Sequence, residues 1–211
     1  DRLRSRGLGD VYKRQVNTLV RVDGGYKGYN TDMTGLYRAM SSDGVSIQGE
    51  QVIVLGAGGV GRAVAFMCAA KGAAHVWLLN RTIEKAAEVA KEVNLAEGRS
   101  CVETLAMSDY DKLPDEKYLV IQSTSVGLYP HVEDAVITDP AFYHKVKAGY
   151  DLIYKPWETR FMQLVKEQGA PAYNGLKMLL YQGIESFELW NQCKIEDESA
   201  YKLYEMLRTT V

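Results

Sequence analysis

Three glycines mark the part of this 211-residue sequence whose spacing most clearly predicts chemistry. Residues 52–55 are a short apolar run, and a G-x-G-x-x-G pattern follows where a helix is predicted to begin. In the dinucleotide-binding fingerprint these glycines provide a tight turn, backbone approach to the pyrophosphate, and close helix–strand packing. The helix N-terminus adds unpaired N–H groups and a partial positive charge. The predicted cofactor-binding turn consists of Gly56, Ala57, Gly58, Gly59, Val60 and Gly61.

The end of the second predicted strand, residues 75–79, indicates which dinucleotide binds. NAD-binding proteins usually carry Asp or Glu there, which hydrogen-bonds the ribose 2′-OH. This sequence instead has Asn80, Arg81 and Thr82, with Lys85 one helical turn later. Arg81 can bind a 2′-phosphate through two hydrogen bonds and Lys85 can act as a point charge. Thr82 could equally be the N-cap of the next helix. The four residues together favour NADP as the cofactor.

The composition limits the function classes. Hydrophobic residues make up 46% and charged residues 25%, with a formal net charge of −2, which gives no basic surface for nucleic acid or membrane. The three cysteines show no C-x-x-C pair and the three histidines have no metal-ligand spacing, so no disulfide framework and no metal site are predicted. No run reaches the ~20 apolar residues that a membrane span needs. These features favour a cytoplasmic enzyme.

The remaining sequence alternates predicted strands and helices as βαβ units do. Further strands are predicted at 101–105, 118–122, 149–153 and 170–173, and helices at 59–71, 83–93, 158–168, 175–193 and 196–208. The predicted fold is therefore α/β, a Rossmann-type doubly wound parallel sheet.

Seven short motifs occur in one order along nearly the whole chain. They are V-N-T at 16–18, G-x-N-T-D at 28–32, GAGGVGRA at 56–63, N-R-T-x-x-K at 80–85, S-T-S-V-G at 123–127, D-L-I-Y-K-P at 151–156 and G-x-x-M-L-x-x-Q-G at 175–183. In this order the motifs resemble shikimate dehydrogenase, an NADP-dependent family that reduces 3-dehydroshikimate to shikimate in aromatic amino-acid biosynthesis. The resemblance implies that Thr124 and Ser125 contact the cofactor and that the small-molecule substrate is shikimate or 3-dehydroshikimate.

The resemblance also implies roles for five residues. Asp32 matches the catalytic aspartate of the family, and Asn17, Thr31, Tyr154 and Gln182 match residues that bind the substrate. Amide and hydroxyl groups of these types suit a polyhydroxy acid. Other interpretations remain open at this point. Thr31 and Asp32 could cap a helix predicted at 33–40, and Tyr154 and Gln182 could be polar residues of an interface.

The sequence departs from the family pattern at its N-terminus. The family has a substrate domain of roughly 100 residues before the V-N-T strand, which contains its catalytic lysine, whereas only fifteen unmatched residues precede it here. Lys13 lies in that unmatched segment, and Lys27 is predicted to lie in a glycine-rich hairpin turn over 24–28, so neither is assigned as the missing lysine. The natural partners of the strand predicted at 16–22 would lie in the missing domain, so this strand is expected to have an unpaired edge. The apolar face of the 175–193 helix is likewise expected to be exposed.

The expected domain organisation follows from this departure. Residues 1–15 are predicted to be a tail foreign to the family, 16–45 a remnant of a second α/β substrate domain with a linking helix, 46–174 the NADP-binding domain, and 175–211 the C-terminal helices. The expected function is shikimate dehydrogenase activity in an inactive or weakly active fragment. The alternatives are an NADP-binding module without catalysis and a quinate/shikimate dehydrogenase.

Overall fold

A computed structural model of the chain describes residues 16–210 and divides them into two compact units. The larger unit is Val45–Gly175, and the smaller consists of residues 16–44 and 176–210. The tail predicted over residues 1–15 lies outside the described residues.

The strands are β1 (Thr18–Val22), β2 (Gly25–Tyr29), β3 (Gln51–Leu55), β4 (His75–Asn80), β5 (Val102–Ala106), β6 (Tyr118–Gln122), β7 (Val146–Asp151) and β8 (Ala172–Tyr173). The helices are α1 (Asp32–Ser42), α2 (Gly59–Ala70), α3 (Ile83–Glu97), α4 (Pro140–Tyr143), α5 (Arg160–Glu167), α6 (Leu176–Asn191) and α7 (Asp197–Arg208). None of these helices is long and apolar enough to cross a membrane.

The larger unit is built on a six-stranded parallel sheet with the order β5-β4-β3-β6-β7-β8. Two βαβ halves therefore run outward from neighbouring central strands, β3 and β6. This order confirms the predicted doubly wound α/β fold. Ligands of such sheets bind outside the carboxyl ends of the strands, where the strand order reverses. That position lies between β3 and β6 in this chain.

The sheet is stable because its central strands are apolar on both faces. All residues of β6 are buried, as are residues 52–55 of β3, so neither strand shows the alternation of a half-exposed sheet. On one side the core is completed by a group of aromatic rings. The Phe142 and Tyr143 centroids lie 5.2 Å apart at an edge-to-face angle, and Tyr143 also contacts Phe161. This packing joins α4 and α5 to one face of the sheet.

The structure corrects several predicted element bounds in this unit. β7 begins at Val146 and ends at Asp151, whereas the strand was predicted at 149–153. It ends early because the Asp151 carboxylate accepts the backbone N–H of Ile153 and turns the chain away from the sheet. α3 extends to Glu97, where Gly98 ends it in the left-handed conformation with φ 65°. The short helix α4 and a 3₁₀ helix at Met107–Lys112 were not predicted.

In the smaller unit, β1 and β2 form an antiparallel two-stranded hairpin, so β1 has a partner strand on one edge only among the described residues. The predicted hairpin is present, but its turn lies at residues 23–24 rather than over 24–28. Lys27 lies on β2 opposite Val20, and its ammonium lies over the Tyr29 ring. The sequence of β2 did not predict a strand because glycine has a low strand propensity. In the structure Gly28 packs closely against the side chain of Val16.

Helices α1 and α6 approach closely in the smaller unit. A Cβ added to Gly35 would lie 2.6 Å from the backbone nitrogen of Gln182. The expected exposure of the α6 apolar face is only partly correct, because Tyr181 and Ile184 are buried while Phe187 is 47% exposed. Gly35 therefore brings the start of α1 beside the middle of α6.

Candidate functional site

The glycine turn at the carboxyl end of β3 has the geometry that its spacing predicts. Gly56 has φ 103°, a conformation that favours glycine, and its N–H donates to the Leu79 carbonyl of β4 over 2.8 Å. A Cβ at Gly61 would lie only 2.0 Å from the Gly56 carbonyl oxygen. The start of α2 can therefore approach the turn only because Gly61 lacks a side chain, while a Cβ at Gly56 would lie 2.8 Å from Thr124 Cγ2 in the loop after β6.

The middle glycine leaves space at the helix N-terminus. Gly58 is the N-cap of α2, no side chain caps this end, and a Cβ at Gly58 would have nothing within 4 Å. Gly58, Gly59 and Val60 are exposed. The first N–H groups of α2 are thus open to an anion, which is what a diphosphate requires.

Substitutions at these glycines separate fold from binding. Gly61→Ala should destabilise the chain by about 1–3 kcal/mol, because the added methyl group overlaps the backbone. Gly58→Ala places a poor N-cap residue at the start of α2, so it should lower the melting temperature less than Gly61→Ala does, yet weaken NADPH binding by occupying space that a diphosphate needs. Thermal unfolding and NADPH titration of both variants check this, and unaltered NADPH affinity in folded Gly58→Ala would contradict it.

Asn80, predicted to contact the cofactor, connects the glycine turn to the end of β4. Its Oδ1 accepts the Ala57 N–H over 3.0 Å and its Nδ2 donates to the Thr82 carbonyl over 2.8 Å. Arg81 and Lys85 are exposed, and neither has an ion pair or hydrogen bond among residues 16–210. Thr82 holds the N-cap position of α3, but its side chain accepts no N–H there. Two unpaired cations therefore stand beside the turn with no carboxylate at the strand end.

A cleft of 930 Å³ opens at the carboxyl ends of β6 and β7 in the same unit. The predicted residues Val60, Thr124, Ser125 and Tyr154 all line it, and Tyr154 is 38% exposed. Ser123, which was not predicted, also lines the cleft. Its hydroxyl donates to the Leu55 carbonyl over 2.8 Å and so joins the loop after β6 to the glycine turn.

Beneath this cleft lies a buried polar pair, Gln122 and Asp151, that sequence reasoning did not identify as part of the site. The Asp151 carboxylate accepts hydrogen bonds from the Thr159 hydroxyl (2.6 Å), the Ile153 N–H (2.9 Å) and the Gln122 Nε2 (3.3 Å). Burial raises the pKa of Asp151 to about 6, although the three hydrogen bonds oppose that shift. The only sequence signal was the position of Asp151 at the start of D-L-I-Y-K-P.

In the smaller unit, Asn17, Thr31 and Asp32 form one hydrogen-bonded group. Asn17 Nδ2 donates to Asp32 Oδ1 over 2.8 Å, while Asn17 Oδ1 accepts the N–H and the hydroxyl of Thr31. Burial raises the pKa of Asp32, and the hydrogen bond from Asn17 lowers it less. Asp32 makes no ion pair within the described residues. Thr31 precedes α1, but its side chain does not cap the helix.

Helix α6 contributes Ser186 to this group and places Gln182 one turn before it. Gln182 is half-buried beside Gly35, three residues along α1 from Asp32. Ser186, which sequence reasoning missed, lies one turn after Gln182, with its hydroxyl 2.7 Å from that of Thr18 and 3.2 Å from that of Thr31. Its spacing of four residues from Gln182 was the available signal. The unit thus combines a carboxylate with amide and hydroxyl groups that can hydrogen-bond a polyhydroxy compound.

Comparisons with known proteins agree on one family. Residues 39–137 match the family profile described as shikimate / quinate 5-dehydrogenase, and residues 175–201 match the shikimate 5′-dehydrogenase C-terminal domain. The shikimate dehydrogenase (NADP(+)) of Methanosarcina barkeri is 37% identical over 176 residues, which cover 83% of this chain. The chain spans 62% of the length of that relative.

Solved structures give the same result. The chorismate mutase/shikimate 5-dehydrogenase fusion protein of Clostridium acetobutylicum has a TM-score of 0.83 at 30% identity, covering 93% of this chain and 68% of that one. The shikimate 5-dehydrogenase of Thermus thermophilus, solved in complex with NADP(H) and shikimate, has a TM-score of 0.74 at 31% identity with the same coverage.

Proposed function

The chain belongs to the shikimate dehydrogenase family, and from this premise we propose that it is part of an NADP-dependent shikimate dehydrogenase. The proposed reaction is the reversible reduction of 3-dehydroshikimate to shikimate. In this proposal residues 46–174 bind NADP, and residues 16–45 and 175–211 contribute to the substrate site. The observation that carries it is the open glycine turn beside two unpaired cations, together with the Asn17–Asp32 group.

The residues of the larger unit fit NADP. The exposed N–H groups at Gly58–Val60 would bind the diphosphate, since they face solvent with no capping side chain. Arg81 and Lys85 would bind the 2′-phosphate, because their charges are unpaired and Asn80, rather than a carboxylate, ends β4. Thr124 and Ser125 would line the part of the cofactor site next to β6.

Bound NADPH supplies the hydride for such a reduction, and the chain's own residues would bind the substrate and manage the proton. Asp32 is held by Asn17 at the N-terminus of α1, so its carboxylate has a fixed direction. Asn17 has one N–H left to donate to a substrate hydroxyl, because its Oδ1 accepts from Thr18 and Thr31 and its other N–H goes to Asp32. The Gln182 amide can both donate to and accept from vicinal hydroxyls. Tyr154 presents an exposed phenol that can donate a hydrogen bond to a substrate.

By itself the 211-residue chain should turn over little shikimate. In the shikimate dehydrogenase family a catalytic lysine is paired with the aspartate. Asp32 has no cationic partner among residues 16–210. Positioned acid–base groups typically contribute ~10²–10⁴-fold to rate. The chain alone therefore fits an NADP-binding module, while a longer protein that contains it would be the enzyme.

The proposal includes a cytoplasmic location. Cys68 and Cys101 are buried free thiols and Cys193 is an exposed one. Free cysteines of this kind suit a reducing compartment.

The experiment compares the chain with a full-length parent protein. Both should bind NADPH, and only the parent should reduce NADP⁺ when shikimate is added. A parallel assay with quinate in place of shikimate decides which of the two substrates is preferred, since the family profile is described as shikimate / quinate 5-dehydrogenase. A parent protein that binds NADPH but oxidises neither compound would contradict the proposed activity.

A further inference from the structure

We propose that the buried Asp151–Gln122 pair is a positioning device that holds the Thr124 backbone amide and so shapes the nicotinamide side of the cofactor cleft. This inference rests on the proposed NADP binding. It concerns residues beneath the cleft rather than the glycine turn or the cations, and it assigns a role to two side chains of the larger unit.

The geometry of the pair connects β7 to the loop after β6. Gln122 is fully buried at the end of β6, and its Nε2 donates to Asp151 Oδ1 over 3.3 Å and to the Val126 carbonyl over 3.2 Å. Its Oε1 accepts the N–H of Thr124 in a short hydrogen bond. The Gln122 side chain therefore hydrogen-bonds the loop after β6 at two positions, Thr124 and Val126, and is itself held by Asp151.

Asp151 and the Val126 carbonyl together determine which way the Gln122 amide points, because both accept from its Nε2. A carboxylate can only accept hydrogen bonds, and Asp151 faces N–H or O–H donors on Ile153 and Thr159 as well. The Gln122 NH₂ group must therefore face Asp151, which leaves its Oε1 for the Thr124 N–H. A reversed amide would place Gln122 Oε1 against the Asp151 carboxylate and its NH₂ group against the Thr124 N–H. These buried groups would then lack hydrogen-bond partners, which costs free energy of folding.

The strand order indicates which half of the cofactor this loop meets. β3 lies between β4 and β6, so Arg81 after β4 and Thr124 after β6 are on opposite sides of the glycine turn. A dinucleotide binds across the point where the strand order reverses. With the 2′-phosphate at Arg81, the nicotinamide half extends toward Thr124, Ser125 and Tyr154.

The test compares two ligands that share the adenosine half. Asp151→Asn keeps the shape of the side chain, removes its charge, and replaces one of its two acceptor oxygens with an NH₂ group that donates. The titrations are made well above pH 6, where Asp151 of the unaltered chain is ionised, since its pKa is about 6. Under these conditions the variant should bind NADPH about tenfold more weakly than the unaltered chain. It should bind 2′,5′-ADP, which has no nicotinamide, with unchanged affinity.

Three further variants separate positioning from stability. Thr159→Val removes the hydroxyl that donates to Asp151 and caps α5, so it should lower the melting temperature while preserving NADPH binding. Asp139→Asn is the matched control, since Asp139 also accepts a backbone N–H and a hydroxyl but lies outside the cleft. Gln122→Met removes the amide that links Asp151 to the Thr124 N–H without altering Asp151. It should also weaken NADPH binding while leaving 2′,5′-ADP binding unchanged.

Each outcome decides the inference. Unchanged NADPH affinity in folded Asp151→Asn and Gln122→Met would overturn it, as would equal losses of NADPH and 2′,5′-ADP, which would assign the pair to the fold alone. Failure of the unaltered chain to bind either ligand would instead overturn the proposed NADP site itself, and the inference with it.

Discussion

Asp32→Asn should lower the kcat of a full-length protein containing this chain by about 10²–10⁴-fold, while the dissociation constant of NADPH changes little. The substitution keeps the shape of the side chain and removes its charge. Asp32 is half-buried and held by Asn17 Nδ2 at 2.8 Å, so its carboxylate is fixed but has no other role visible in the described residues. Steady-state kinetics with shikimate, together with NADPH titration, measure both quantities.

Asp23→Asn is the control for this substitution. Asp23 lies in the exposed turn between β1 and β2, where loss of one negative charge should leave kcat unchanged. If Asp32→Asn retained nearly normal kcat, Asp32 would be reduced to an acidic residue in the first turn of α1, where it interacts favourably with the helix dipole.

Replacing Arg81 and Lys85 together with Ala should weaken NADPH binding by at least about 100-fold and leave NADH binding almost unaltered. Each cation can form a charge-assisted hydrogen bond worth about 1.5–3 kcal/mol to a 2′-phosphate, and NADH has no such group. Both side chains are exposed and unpaired within residues 16–210, so their removal breaks no contact that stabilises the fold. Titrations with both nucleotides give the ratio directly.

Lys91→Ala provides the control for charge alone, because Lys91 is exposed on α3 at a position beyond the first two turns of the helix. It should change NADPH affinity by less than about threefold through the weak, screened effect of a distant charge. Parallel losses of NADPH and NADH in the double variant would show that the two cations do not recognise the 2′-phosphate.

The sheet could be predicted from sequence because its signals are local. Residues 52–55 and 118–121 are continuous apolar runs, and glycines follow the first of them at the fingerprint spacing. The end of β7 could not be predicted, since Leu152 and Ile153 are apolar and read as a continuation of the strand. What ends β7 is the Asp151 carboxylate, whose hydrogen bond to Ile153 depends on the tertiary structure around it. The hairpin strand β2 was mistaken for a turn because glycine usually interrupts strands.

Some residues of the candidate site could likewise be predicted from the sequence, and others could not. The residues of the glycine turn and of the β4 end follow each other in the sequence, so their spacing alone predicted them. Ser123 and the Asp151–Gln122 pair could not be found by spacing, because each acts on a residue of another element. Ser186 has the spacing of one helical turn from Gln182, but its contacts with β1 could not be predicted from that spacing. Ser123 reaches Leu55 across two neighbouring strands, and Ser186 reaches Thr18 between α6 and β1. Such pairs become visible only when strand order and helix packing are known.

The central claim is that this chain carries an NADP-specific nucleotide site, and one titration tests it most directly. Isothermal calorimetry of the unaltered chain with NADPH and with NADH should give one-site binding to NADPH, at least about tenfold tighter than to NADH, because only NADPH offers a 2′-phosphate to Arg81 and Lys85. Equal affinities for the two nucleotides, or tighter binding of NADH, would contradict the account.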